Sequence, residues 1–125
     1  MATRSNVGYV KANGSISAVY CHWDGYPEHM VSAIEGFISN FGVKKFMSEV
    51  RRAQRQAGLR SLDSNEFETY GDMRDERSEG DEYKETERDR LNNCYAYLVD
   101  SRTGKITEFY EHGQRLSLDT MRDRM

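Results

Sequence analysis

The sequence predicts an α+β fold: a four-stranded antiparallel sheet built from two β-hairpins, with two helices packed on one face, in the order β-β-α-α-loop-β-β. Three observations predict it. Two stretches rich in Val, Ile, Tyr and Ala flank Asn13-Gly14 near the start. Two amphipathic patterns at helical spacing follow, each stopped by a glycine. Near the end, two runs rich in aromatic and β-branched residues surround a Ser-Arg-Thr-Gly turn. Hairpins of this size are marginal alone, and each helix has an apolar face to hide, so one helix-on-sheet body is the simplest solution.

The first hairpin pairs 5–11 with 15–23. Asn-Gly suits a type I′ turn, which needs positive φ at both central residues. That turn sets Tyr9 against Ala18, Gly8 against Val19 and Val7 against Tyr20. A glycine inside a strand leaves room for a neighbour's close approach.

Asp24-Gly25 ends the strand, with Asp24 placed to form a turn or cap the next helix. Pro27 suits a first helical turn, where a missing N–H costs nothing, and Glu28 lies near the positive end of the helix dipole. Met30, Val31, Ile34, Phe37, Ile38 and Phe41 give a helix over 27–40, with Gly42 as its breaker. A second helix spans about 43–57 up to Gly58. Val43, Phe46, Met47 and Val50 form its apolar stripe, and Lys44, Lys45, Arg51, Arg52 and Arg55 make its other face basic. That face reads as a solvated surface, or as an anion-binding one.

The composition changes at 63–90. Asp and Glu abound, and 63–89 holds four basic residues and few apolar anchors (Phe67, Tyr70, Met73, Tyr83). Low hydrophobicity suits a mobile loop here at least as well as a solvated helix. Pairing with the basic second helix is an economical alternative, although exposed ion pairs stabilise too little to order such a segment alone. The second hairpin then joins 93–100 to 105–111, His112-Gly113 closes it, and a short terminal helix starts at Ser117.

At 125 residues this reads as a single domain, 1–125. The hydrophobic share is 37% and the charged share 31%, which leaves a small core under a wide polar surface. A net charge of −3 argues against general nucleic-acid binding. Two cysteines and a start without signal-peptide character fit a reducing cytosol, and no apolar run reaches membrane-spanning length.

Candidate chemistry gathers in Tyr20–Glu28, Tyr-Cys-His-Trp-Asp-Gly-Tyr-Pro-Glu, which holds the only Trp and the only Pro. Arg4, His22, Trp23, Asp24, Tyr26 and Glu28 are the candidate binding residues. Trp and Tyr rings beside charges match interface composition, so a bound protein is the leading reading. A nucleotide is the alternative, with a base stacked on Tyr20, Trp23 or Tyr26 and phosphate met by Arg4 or the basic helix. A third reading makes His22, Asp24 and His29, with Glu28 close by in sequence, the acid–base set of a small hydrolase or nuclease, because a histidine near a carboxylate can serve as general base. Against it, Asp24 serves a turn and Glu28 a helix dipole without any catalysis. Cys21, His22, His29, Cys94 and His112 include no closely spaced pair for zinc, and no nucleophile elbow or phosphate-cradling glycine loop exists, so no cofactor is expected. Homo-oligomerisation stays open.

Thr3-Arg4-Ser5-Asn6-Val7-Gly8 followed by the Tyr20–Glu28 block resembles a family of small proteins of tailed bacteriophages and prophages. Thr69-Tyr70-Gly71-Asp72 and Tyr95-Ala96-Tyr97-Leu98 are weaker matching patches, and 44–60 and 73–90 lie outside the likeness. The resemblance implies a phage product acting in the host cytoplasm. It brings no established activity. By analogy with small phage accessory proteins, it implies a host-takeover or counter-defence factor that binds a host protein.

Overall fold

In the computed structural model, which describes residues 2–73 and 84–125, the first strand lies at the middle of a mixed sheet. The strands are β1 (Ser5–Val10), β2 (Ile16–Cys21), β3 (Leu59–Leu62), β4 (Phe67–Thr69), β5 (Tyr95–Asp100), β6 (Ile106–Glu111) and β7 (Gln114–Leu116). The helices are α1 (Pro27–Phe41), α2 (Val43–Gln54), the single turn α3 (Tyr70–Met73) and α4 (Leu118–Asp123), with a 3-10 turn at Arg88–Arg90. Strand order is β4-β3-β2-β1-β5-β6-β7.

The α+β class and the helices on one face are as expected, but the four-stranded antiparallel sheet is not. The sheet has seven strands among the described residues, and its two hairpins join through β1 and β5 running parallel. Parallel neighbours need a long crossover, and the helices between β2 and β5 supply it. Parallel pairing recurs where Cys21 meets Leu59, so β3 covers one end of the outer edge of β2. Two-way backbone bonds between Ala18 and Glu85 cover the next stretch, at 2.9 Å each.

The first turn also differs. Val7 faces Val19, Gly8 faces Ala18 and Tyr9 faces Ser17. Only Gly14 takes a positive φ, and Gly14 N–H bonds back to the Lys11 carbonyl, so the loop is one residue longer than a type I′ turn. Asn13 instead accepts through Oδ1 from the Ser15 N–H and hydroxyl. The two-residue loop with positive φ at both positions is His112-Gly113, which folds β6 onto β7.

Alternation along the strands sorts residues onto two faces. Val7, Tyr9, Val19, Cys21, Tyr97, Val99 and Phe109 pack under α1 and α2, with Met30, Ile34, Phe37, Phe46 and Val50 from the helices. The opposite face is a smaller apolar patch of Ile16, Ala18, Ala96, Leu98 and Tyr110, roofed by the fully buried Leu91. Gly8 belongs to that patch: a Cβ there would collide with the Ser17 carbonyl and with Ala18 across the strand pair.

Part of the charged segment is ordered. Asp63 Oδ1 accepts from the Asn65 and Glu66 amides and starts the β3–β4 turn. Arg88 donates to both carboxylate oxygens of Glu108 at 2.8 Å and to the Gly14 carbonyl, pinning the 3-10 turn across the second face. Glu108 is 6% exposed and also accepts from the Tyr110 hydroxyl at 2.6 Å. Arg52 of α2 pairs with Glu49 of its own helix and donates to the Phe67 carbonyl. Of the charged segment at 63–90 expected to be mobile, residues 74–83 lie outside the described residues.

Candidate functional site

Backbone hydrogen bonds fasten the bend after β2 at several points. The parallel ladder of β2 with β3 continues past the strand, with His22 N–H on the Leu59 carbonyl and Trp23 N–H on the Arg60 carbonyl, both at 3.0 Å. Asp24 then turns the chain with φ 56, a left-handed value that Asp tolerates better than most residues. Gly25 N–H reaches the Thr3 carbonyl at 2.9 Å, and the Gly25 carbonyl accepts from the buried Tyr97 hydroxyl at 2.7 Å. A Cβ at Gly25 would lie 2.6 Å from the Ser5 Cβ, so only glycine lets the bend close onto β1.

Asp24 is therefore not the helix cap. Tyr26 occupies the N-cap position of α1, in the extended conformation that a following proline favours, with no side-chain cap bond. Pro27 is buried beneath it, and Glu28 stands in the first turn.

The bend thus has a sealed inner side and an open outer one. Cys21, Gly25 and Pro27 are buried, while Trp23 is 39% and Tyr26 40% exposed. The Cys21 thiol points at the Trp23 carbonyl at 3.6 Å. Burial pushes it up to about 12, so it stays protonated and is poor as nucleophile or ligand. Arg4, Asp24 and Glu28 are exposed.

The predicted residues separate into two groups. His22 Nδ1 lies 2.6 Å from the Tyr20 hydroxyl, and its ring meets Trp23 edge-on and Tyr70 across a wider gap. Burial first, then Arg4 and Arg60, hold its imidazole below the ordinary value, which favours the neutral ring. His29 lies elsewhere, with Nε2 donating to the Leu62 carbonyl at 2.8 Å and its ring beside Tyr26. Glu28 and His29 line a shallow hollow against Asp63 and Ser64, and His22 lines a different cavity. Among the described residues neither imidazole bonds to a carboxylate, and His22 and His29 line different hollows, so the structure does not bring His22, Asp24 and His29 together. Nor does any group of three or more His, Cys, Asp or Glu among them lie where it could hold a metal ion.

The cavity beside His22 holds the residues that sequence reading passed over. It encloses about 380 Å³ on the face away from α1 and α2, between Asn6, Tyr20, His22, Tyr70, Glu85 and Arg90. Ala57, Asn92 and Asn93 complete its wall. The stretches singled out at 3–8, 20–28 and 69–72 meet here through Asn6, Tyr20, His22 and Tyr70. Asn6 gave one signal in advance: an amide on a strand otherwise made of small and apolar residues. Arg90 and the Asn92-Asn93 pair gave none, because they follow a charged run. No helix among the described residues is long and apolar enough to cross a membrane. Comparison with family models, with curated proteins and with solved structures yields no match for this chain.

Proposed function

We propose that this chain is a bacteriophage accessory protein that binds a host protein in the bacterial cytoplasm, as a host-takeover or counter-defence inhibitor without catalysis of its own. The observation that carries this reading is the bend at Trp23–Tyr26. It presents two large rings and the Asp24 carboxylate to solvent from a backbone fastened to β1, β3 and β5. Rings held in this way lose little freedom on binding, and Trp and Tyr dominate the energetics of protein interfaces. The resemblance of the Thr3–Gly8 and Tyr20–Glu28 stretches to phage proteins supports the setting. Arg4 and Glu28 supply charge at the rim of the same surface.

The test is affinity capture from bacterial lysate. The wild-type chain should retain a specific protein, and the Trp23→Ala/Tyr26→Ala variant, folded to the same degree, should lose it. Retention of the same protein by both baits would remove the bend from the interaction.

A further inference from the structure

We infer that the cavity walled by Asn6, Tyr20, His22, Tyr70 and Arg90 is a separate binding site for a nucleoside monophosphate. This goes beyond the protein-binding reading, because it uses the inside of a cavity on the second sheet face and not the exposed rings of the bend.

Asn6 carries the argument furthest. Its side chain is 2% exposed, yet it lies on the cavity wall. Asn93 Nδ2 donates to Asn6 Oδ1 at 2.9 Å, which leaves the Asn6 amide nitrogen with no hydrogen-bond partner among the described residues. The nitrogen is a donor held on the cavity wall by an otherwise buried residue, so it is placed to meet an acceptor from outside. The bond also fixes Asn93, whose own carbonyl oxygen stays available as acceptor. A donor and an acceptor offered by neighbouring amides match the edge of a nucleobase, which presents both.

The other walls suit the remaining parts of such a ligand. Tyr20, His22 and Tyr70 bring rings to one wall, and an imidazole such as that of His22 offers a flat face on which a base stacks regardless of its identity. Arg90 stands on the wall, and Arg4 and Arg60 lie near enough to act on His22 through charge. A guanidinium is the preferred partner of a phosphate. Glu85 offers an acceptor to an exocyclic amine. A volume of about 380 Å³ is at the low end of ordinary ligand cavities, which favours a mononucleotide over a dinucleotide.

The experiment is calorimetric titration of the full chain with adenosine, guanosine, cytidine and uridine monophosphates, with the matching nucleosides, and with inorganic phosphate. Trp23, whose ring lies 4.7 Å from that of His22 in a T-shaped pair, gives a second readout by fluorescence. At least one monophosphate should bind one to one with Kd below about 1 mM. Its nucleoside and phosphate alone should each bind at least tenfold more weakly. Asn6→Asp, which exchanges the donor for an acceptor at nearly constant shape, should weaken binding tenfold or more. Arg90→Ala lies on an exposed residue and should do the same to the monophosphate while leaving the nucleoside unaffected. If Asn6→Asp does not fold, Arg90→Ala and Asn93→Ala decide the matter. No binding by any monophosphate to the folded chain overturns the inference. So does equal affinity for phosphate alone, or binding that survives these substitutions unchanged.

Discussion

The buried hydroxyl of Tyr97, on β5, donates a 2.7 Å hydrogen bond to the carbonyl of Gly25, seventy-two positions earlier in the chain. It connects a central strand of the sheet to the bend that displays Trp23 and Tyr26. Burial first, then the charges of Tyr95 and Glu111, push the phenol well above its ordinary value, so it stays a donor at every physiological pH. Tyr97→Phe should therefore cost about 1–2 kcal/mol, because the Gly25 carbonyl loses its partner in a dry place. Chemical denaturation measures that loss. Faster amide exchange at Gly25 and Trp23, with the sheet unchanged, would show that it is felt at the bend.

Gly25→Ala should be harsher in shape than in chemistry. The new methyl meets Ser5 and the Thr3 carbonyl at 2.6–2.7 Å, so the bend must lift from β1. A loss of about 1–3 kcal/mol is expected, as for other overpacked sites. The thermal midpoint reports it. Asp24→Gly, by contrast, relieves a left-handed residue and should leave stability equal or slightly raised.

Arg88 and Glu108 make the second face sensitive to acid. The Arg88 hydrogen bonds, against the opposing effect of burial, hold the Glu108 carboxyl below its ordinary value of 4.5. A carboxyl whose folded-state value is depressed contributes stability above its unfolded value, and that contribution is lost as pH falls through the folded one. Glu108→Gln should flatten the acid limb of a stability–pH curve. Arg88→Ala leaves a buried carboxylate without its main partner. Because Arg88 is itself 40% exposed, water offsets part of the loss, and about 1–2 kcal/mol is expected at neutral pH.

His22 sets a second, higher pH window. Its imidazole is held below 6.5 in the fold, so the unfolded chain takes up the proton first. Stability is complete above 6.5 and falls as pH drops from there through the folded value. His22→Gln should remove this slope and leave the Glu108 slope in place. A proton titration of the His22 ring by NMR checks the direction independently: a midpoint at or above that of a free histidine contradicts it.

The parts of the fold with long-period patterns were legible in the sequence. Helix α1 begins at Pro27 as expected, α4 begins with Ser117 accepting from the Thr120 amide, and β5 and β6 lie within a residue or two of their expected bounds. The short strands were not. β3 has four residues and β4 and β7 three each, too few for alternation to show. The parallel β1–β5 pairing was hidden too, since two hairpins meet parallel or antiparallel with the same local sequence, and the choice lies in the connection. For the site, Trp23, Asp24 and Tyr26 could be placed on an open turn from rare residue types alone. The cavity could not, because Asn6, Tyr70 and the 85–93 segment are far apart in the chain and only the fold brings them together.

Binding through the bend requires the indole of Trp23 to be open in the free chain and covered in the complex. Acrylamide quenching of its fluorescence, the only tryptophan signal in this protein, measures both states once a captured partner is in hand. Ready quenching in the free chain and strong protection after the partner is added is the predicted result. An indole already shielded in the free chain, or quenched equally with and without the bound partner, would contradict it.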